Sequence, residues 1–117
     1  MIQGIYDLHV HSAPDIKPRK TTDYELAERF SHAGYKGFVI KCHHGDTSAR
    51  AKLMEMLVPK IRVIGGITLN RYAGGLNPYA VEACAKLGGK YVWFPTLDSY
   101  SYQMVRNPKK AESEKIL

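Results

Sequence analysis

Asp7-Leu8-His9-Val10-His11 is the stretch on which the fold turns, and it lies at the end of a first β-strand read over Gly4–His11. Period-two alternation sends Asp7, His9 and His11 to one strand face and Leu8 and Val10 to the other. Two imidazoles on one face, beside a carboxylate, can share a divalent cation. Zinc is the first expectation, with manganese, iron or nickel as alternatives. Parallel α/β sheets carry working groups at the carboxyl ends of their strands. The motif therefore marks the working edge of the sheet.

Outward from that strand, the chain alternates between strand and helix. Thr22-Asp23-Tyr24-Glu25 is a capping box, and Leu26, Ala27, Phe30 and Ala33 follow as an apolar stripe that Gly34 ends. A second strand covers Gly37–His43. A second helix opens near Thr47, is expected to turn Ala49, Leu53, Met56 and Leu57 inward, and stops at Pro59. A third strand covers Arg62–Asn70. Asn77-Pro78 starts a third helix that buries Val81, Cys84 and Ala85. Lys90–Pro95 is a fourth strand. Four strands alternating with three helices predict right-handed βαβ units and a parallel sheet.

Composition excludes some function classes. The chain has 117 residues, is 44% hydrophobic and 24% charged, and suits a single globular domain. No apolar run approaches the roughly 18 residues of a membrane span, and no leader pattern precedes the first strand, so a cytoplasmic protein is expected. The formal charge of +6 is spread along the chain. It reads as solvated surface or as an attraction for anionic substrates, and nucleic acid is not an expected partner. Cys42 and Cys84 read as free buried thiols.

The polar residues of interest all fall at strand ends. Parity places Asp7, His9 and His11 with Val39, Lys41 and His43, then with Gly66, Thr68 and Asn70, and finally with Phe94, Thr96 and Asp98. The apolar set Leu8, Val10, Phe38, Ile40, Ile67, Leu69 and Trp93 is expected to pack beneath helices. His9, His11 and His43 are the expected metal ligands. Asp7, Asp15, Arg19, Lys41, His44, Asn70 and Asp98 are expected to support that site or bind a small-molecule substrate. Asn70 could equally end its strand, and His44 could cap or orient. Lys41 has three open readings: a salt bridge to Asp7, a carboxylated lysine between two metals, or a lysine that grips a substrate anion. His32 lies on a helix and reads as surface.

At these residues the chain resembles a family. Asp7–His11 is similar to the opening metal motif of the amidohydrolase-like metal-dependent hydrolases, and to that of the polymerase and histidinol phosphatase family. Asp7–Asp15 (DLHVHSAPD), Lys41–His44 (KCHH), Leu69-Asn70 with Gly74–Pro78 (GGLNP) and Val92–Thr96 (VWFPT) resemble an uncharacterised bacterial and archaeal branch of that superfamily. The resemblance implies a (β/α) barrel, with His9 and His11 as the paired first-strand ligands and His43 near a second-strand histidine. The family's bridging lysine comes from its fourth strand, whereas Lys41 lies on the second. Such enzymes use seven or eight strands, with further histidines and an aspartate on the later ones.

The expectation is thus an α/β fold, the N-terminal half of a (β/α) TIM-like barrel with about four parallel strands. Residues 1–98 are expected to form the partial barrel, and 99–117 a polar loop and the start of a truncated helix over Ala111–Leu117. In the whole enzyme, metal-activated water would attack an amide, ester or phosphoester. A half barrel exposes two sheet edges, so a homo-oligomer is expected to cover them. The competing reading is a non-catalytic metal-binding or assembly module.

Overall fold

The computed structural model describes residues 3–109. Strands Tyr6–Val10 (β1), Gly37–Ile40 (β2), Arg62–Ile64 (β3), Gly66–Thr68 (β4) and Tyr91–Trp93 (β5) alternate with helices Asp23–His32 (α1), Ser48–Leu57 (α2) and Pro78–Lys86 (α3). A 3₁₀ turn, Arg71–Ala73, precedes α3, and a fourth helix, Tyr100–Arg106 (α4), follows β5. Every strand pair is parallel, with β2 between β1 and β3, and β4 beside β5. No helix among the described residues is long and apolar enough to cross a membrane.

The third strand read from sequence is two strands, because it bends away from β2 at Gly65. A Cβ there would lie 2.4 Å from the Ser48 Cα, so the first turn of α2 presses directly on the backbone. Beyond the bend, Thr47 takes the place of a neighbouring strand. Its backbone N–H donates to the Gly66 carbonyl at 2.9 Å, and its hydroxyl accepts the Gly66 N–H at 2.9 Å while donating to the Ile40 carbonyl at 2.7 Å. Thr47 is fully buried, so these bonds satisfy backbone groups that water cannot reach.

The same contact sets the rotation of α2 and corrects its expected inner face. With Ser48 against Gly65, helical steps of three and four carry Ala51, Glu55 and Val58 toward the strands. Ser48, Ala51 and Val58 are buried, whereas Ala49, Leu53, Met56 and Leu57 are not the face that packs: Leu53, Met56 and Leu57 are exposed. Helix α1 follows its sequence more closely. Thr22 and Glu25 form the capping box, Leu26 and Ala27 are buried, and Phe30 packs against the core, but Ala33 is the exposed C-cap. Gly34 takes a left-handed φ of +84° to end the helix. On α3, Asn77 caps through the Tyr79 and Ala80 N–H groups. Ala80, Val81 and Cys84 face Ile67 and Leu69, and Ala85 is exposed.

Strand parity also needs two corrections. The β1–β2 register slips by one residue between Asp7 and Val10, so Asp7 pairs with Phe38 and Val10 with Ile40. A bulge therefore separates Asp7 from the alternation that carries His9 and His11. Its carboxylate accepts the His9 N–H of its own strand at 3.0 Å. On β5, Thr68 pairs with Trp93, which puts Trp93 on the face assigned to Phe94. Phe94 is 76% exposed, and Leu8, on the uncovered edge strand, is 52% exposed.

Residues 100–106 are helical rather than a polar loop. Ser99 caps α4 by accepting the Tyr102 N–H, and its hydroxyl holds the Thr96 carbonyl at 2.7 Å. The helix expected to start at Ala111 lies outside the described residues.

Candidate metal centre

The loop after β1 is fixed before any chemistry is asked of it. Ser12 donates to the Asp23 carboxylate at 2.5 Å, and Arg50 of α2 grips both oxygens of Asp23 at 2.8 Å and the Ser12 carbonyl at 3.1 Å. Asp23 is 3% exposed, so this bidentate pair joins α1, α2 and the end of β1 where the geometry is well ordered. Nothing in the sequence pattern singles out its members as functional.

On that support the histidines of the first two strands converge. The Nε2 atoms of His9 and His11 lie 3.1 Å apart. Two nitrogens at about 2.0–2.1 Å from a tetrahedral zinc would be about 3.3 Å apart, so the pair already has the bite of two ligands on one ion. The His43 ring stacks on His11, with centroids 4.9 Å apart. His43 Nδ1 is bonded to the Thr96 hydroxyl at 2.7 Å, which leaves its other nitrogen for a metal or a proton. Among the described residues the ligand atoms of the three histidines do not all come within 4.8 Å of one another, so His43 does not complete a three-ligand group with the pair. His11 Nδ1 is buried without a hydrogen-bond partner among the described residues.

Electrostatics hold these rings neutral. Burial, followed by the proximity of Arg19, of the neighbouring titratable rings of His43 and His9, and of Lys41, lowers the His11 pKa to about 4. Burial and Lys41 lower His9 and His43 as well. A neutral imidazole is the form that can donate a lone pair to a cation. Lys41 is 7% exposed, and burial lowers its pKa. Its Nζ lies 5.0 Å from the Trp93 ring centroid, and no carboxylate, Asp7 included, pairs with it among the described residues. Of the three readings open for Lys41, the bridge to Asp7 is not formed: a cation–π contact takes its place, because the bulge takes Asp7 out of the Lys41 row.

Asn70 ties the two groups of strands together. It is fully buried, and Nδ2 donates to the His43 carbonyl and the Thr96 hydroxyl, each at 2.9 Å. Oδ1 accepts the Thr96 N–H at 2.8 Å and the Asp98 N–H at 3.2 Å. All these bonds are to the chain itself, so Asn70 orients the site. Asp98 is likewise engaged, accepting the Arg71 backbone N–H and its Nε at 2.5 and 2.7 Å.

β2 ends at Ile40, short of the His43 expected, and residues 41–44 continue as loop and turn. There Cys42 and His44 meet Asp15 in a second cluster. His44 Nδ1 is 3.3 Å and Cys42 Sγ 3.7 Å from Asp15 Oδ1, while Arg19 Nε holds Oδ2 at 2.7 Å. The bonds from Arg19 and His44 overcome the effect of burial and lower the Asp15 pKa to about 2. Asp15, Cys42 and His44 are a group able to hold a metal ion, with their ligand atoms all within 4.8 Å of one another. Sequence reading missed Cys42 as a member. The available signal was the spacing Cys42-x-His44, which sets a thiol and an imidazole two residues apart just past a strand end.

Parallel strands alternating with helices, with imidazoles gathered at the strand ends, define a small α/β protein with a candidate metal-binding edge. Residues 4–116 match DUF6282, a family of unknown function, and the chain belongs to that family. Neither a curated protein nor a solved structure matches it.

Proposed function

We propose that the chain is the N-terminal half of a (β/α) barrel in an amidohydrolase-like, metal-dependent hydrolase acting on an amide, ester or phosphoester. The observation that carries this reading is the pair of neutral imidazoles, His9 and His11, with their Nε2 atoms 3.1 Å apart at the end of a parallel strand. A divalent ion, zinc first, supplies Lewis acidity to such hydrolysis when bound. His9 and His11 hold it. His43, fixed through Nδ1 by Thr96, is a third ligand or a proton carrier. Lys41, a buried amine without a carboxylate partner among the described residues, attracts a negatively charged part of the substrate. Asn70 and Thr96 keep His43 in place across the join between β4–β5 and β2.

A non-catalytic metal-binding module is the competing reading. The sulfur in the Asp15–Cys42–His44 group favours it, because thiolates are common in structural zinc sites. Two measurements decide. Zinc content by mass spectrometry is expected to fall by about one equivalent per chain in His9→Ala/His11→Ala, and equal content in both proteins overturns the ligand assignment. Hydrolysis of p-nitrophenyl esters, phosphoesters and simple amides, with zinc or manganese added, is expected to drop by about two orders of magnitude in His11→Ala. Bound metal with no turnover of any of these substrates favours the module.

A further inference from the structure

We infer that Asp15, Cys42 and His44 form a second, independent site for a thiophilic divalent cation such as zinc. The site lies where the loop after β1 meets the loop after β2. It does not depend on the hydrolase reading, because it uses other residues.

The spacing of the donor atoms is the first support. Around a tetrahedral zinc, with oxygen and nitrogen at about 2.0–2.1 Å and sulfur at about 2.3 Å, an oxygen–nitrogen edge is about 3.3 Å and an oxygen–sulfur edge about 3.5 Å. Asp15 Oδ1 lies 3.3 Å from His44 Nδ1 and 3.7 Å from Cys42 Sγ. Both separations are those of hydrogen bonds within the cluster, and both are also close to two edges of that tetrahedron.

Burial and the surrounding bonds are the second support. The side chains of Asp15 and His44 are 1% and 8% exposed, and Cys42 is 8% exposed. The His44 backbone N–H donates to Cys42 Sγ at 3.4 Å, a bond that stabilises negative charge on sulfur. Arg19 fixes Asp15 Oδ2 and leaves Oδ1 as the donor oxygen, in the way carboxylate ligands are oriented from outside a metal site. Binding releases the Cys42 thiol proton to solvent, so affinity rises with pH.

Access is the third support. An open cleft of about 390 Å³ is lined by Pro14, Asp15, Ile16, Cys42, His44 and Arg50. Three protein donors facing a cleft leave a fourth coordination position for water or a small ligand.

Cobalt(II) separates this site from the histidine pair, because only this one contains sulfur. Full-length protein titrated with cobalt(II) chloride is expected to show a near-ultraviolet thiolate-to-cobalt charge-transfer band that saturates at one equivalent. The band should persist in His9→Ala/His11→Ala and in Cys84→Ala, and vanish in Cys42→Ser. A wild type without the band, or a band that survives Cys42→Ser, overturns the proposal. Should Cys42→Ser fail to fold, alkylation of Cys42 in Cys84→Ala supplies the test. Zinc is expected to slow it at least about tenfold, and His44→Gln to abolish that protection. No protection by zinc overturns the proposal equally. Loss of the histidine-pair zinc alone leaves it standing.

Discussion

The three strands β1–β3 and the two strands β4–β5 are built by the same alternation of strand and helix, yet they are packed very differently. Among the described residues, eight buried apolar residues lie beneath the first group, including Phe38, Ile40, Ala51, Ile61 and Val63, with Phe30, Tyr35 and Met54 packed around them. Beneath the second lie three, Ile67, Leu69 and Cys84. Residues of β2 are covered by helices and flanked by strands on both sides, whereas β5 has one neighbouring strand among the described residues and leaves Val92 half exposed. The difference shows where stability and chemistry part company. The first group holds the chain together and carries His9, His11 and His43; the second adds little burial but supplies Thr96 and Asn70, which hold His43 in place.

The largest expected effect tests that asymmetry directly. Phe38→Ala should lower unfolding free energy by about 3–5 kcal/mol, and Ile67→Ala by about 2 kcal/mol, the low end for such truncations, because its cluster is small. Chemical denaturation measures both, and an equal or larger loss at Ile67 would reverse the ranking. Next in size is the join. Asn70→Ala removes bonds to buried backbone groups and should cost about 1–3 kcal/mol. Amide hydrogen exchange should then quicken across 66–68 and 91–98 while β2 keeps its protection; uniform acceleration would mean that the two groups unfold as one unit.

The last test, on a partly exposed group, is the dependence on pH. His11 has a pKa of about 4 in the folded chain, against 6.5 for a free side chain. The unfolded chain takes up this proton first as pH falls. The stabilisation is therefore complete above about 6.5 and is lost as pH drops toward 4. Thermal midpoints of metal-free protein should decline across that window, and His11→Asn should flatten the decline. A midpoint of wild type that is constant from pH 7 to 4.5 contradicts the neutral-imidazole site.

Much of the architecture was legible because its signals are local. The Thr22–Glu25 box, the Asn77-Pro78 start and the Gly34 stop act within a few residues of themselves, and each sits where local chemistry puts it. The convergence of His9 with His11 follows from alternation over two residues. What failed depended on distant contacts. The inner face of α2 escapes a sequence reading because its rotation is set by Ser48 meeting Gly65, a contact invisible to any helical period. Trp93 escapes it because β5 takes its register from β4, and Asp7 because β1 slips against β2. Cys42 reads as packing because a thiol becomes a ligand only beside its partners, and Asp15 arrives from the loop after another strand.

By itself, then, the sequence determined the alternation of strands and helices, their caps, and the edge at which histidines gather. These depend on φ/ψ preference and side-chain period, which act over a few residues. Tertiary structure alone decided that the third strand breaks at Gly65, that Lys41 rests on Trp93 rather than on Asp7, and that Asp15, Cys42 and His44 meet. Such pairings are set by close packing between segments far apart in the chain, and no local pattern encodes the distance between them.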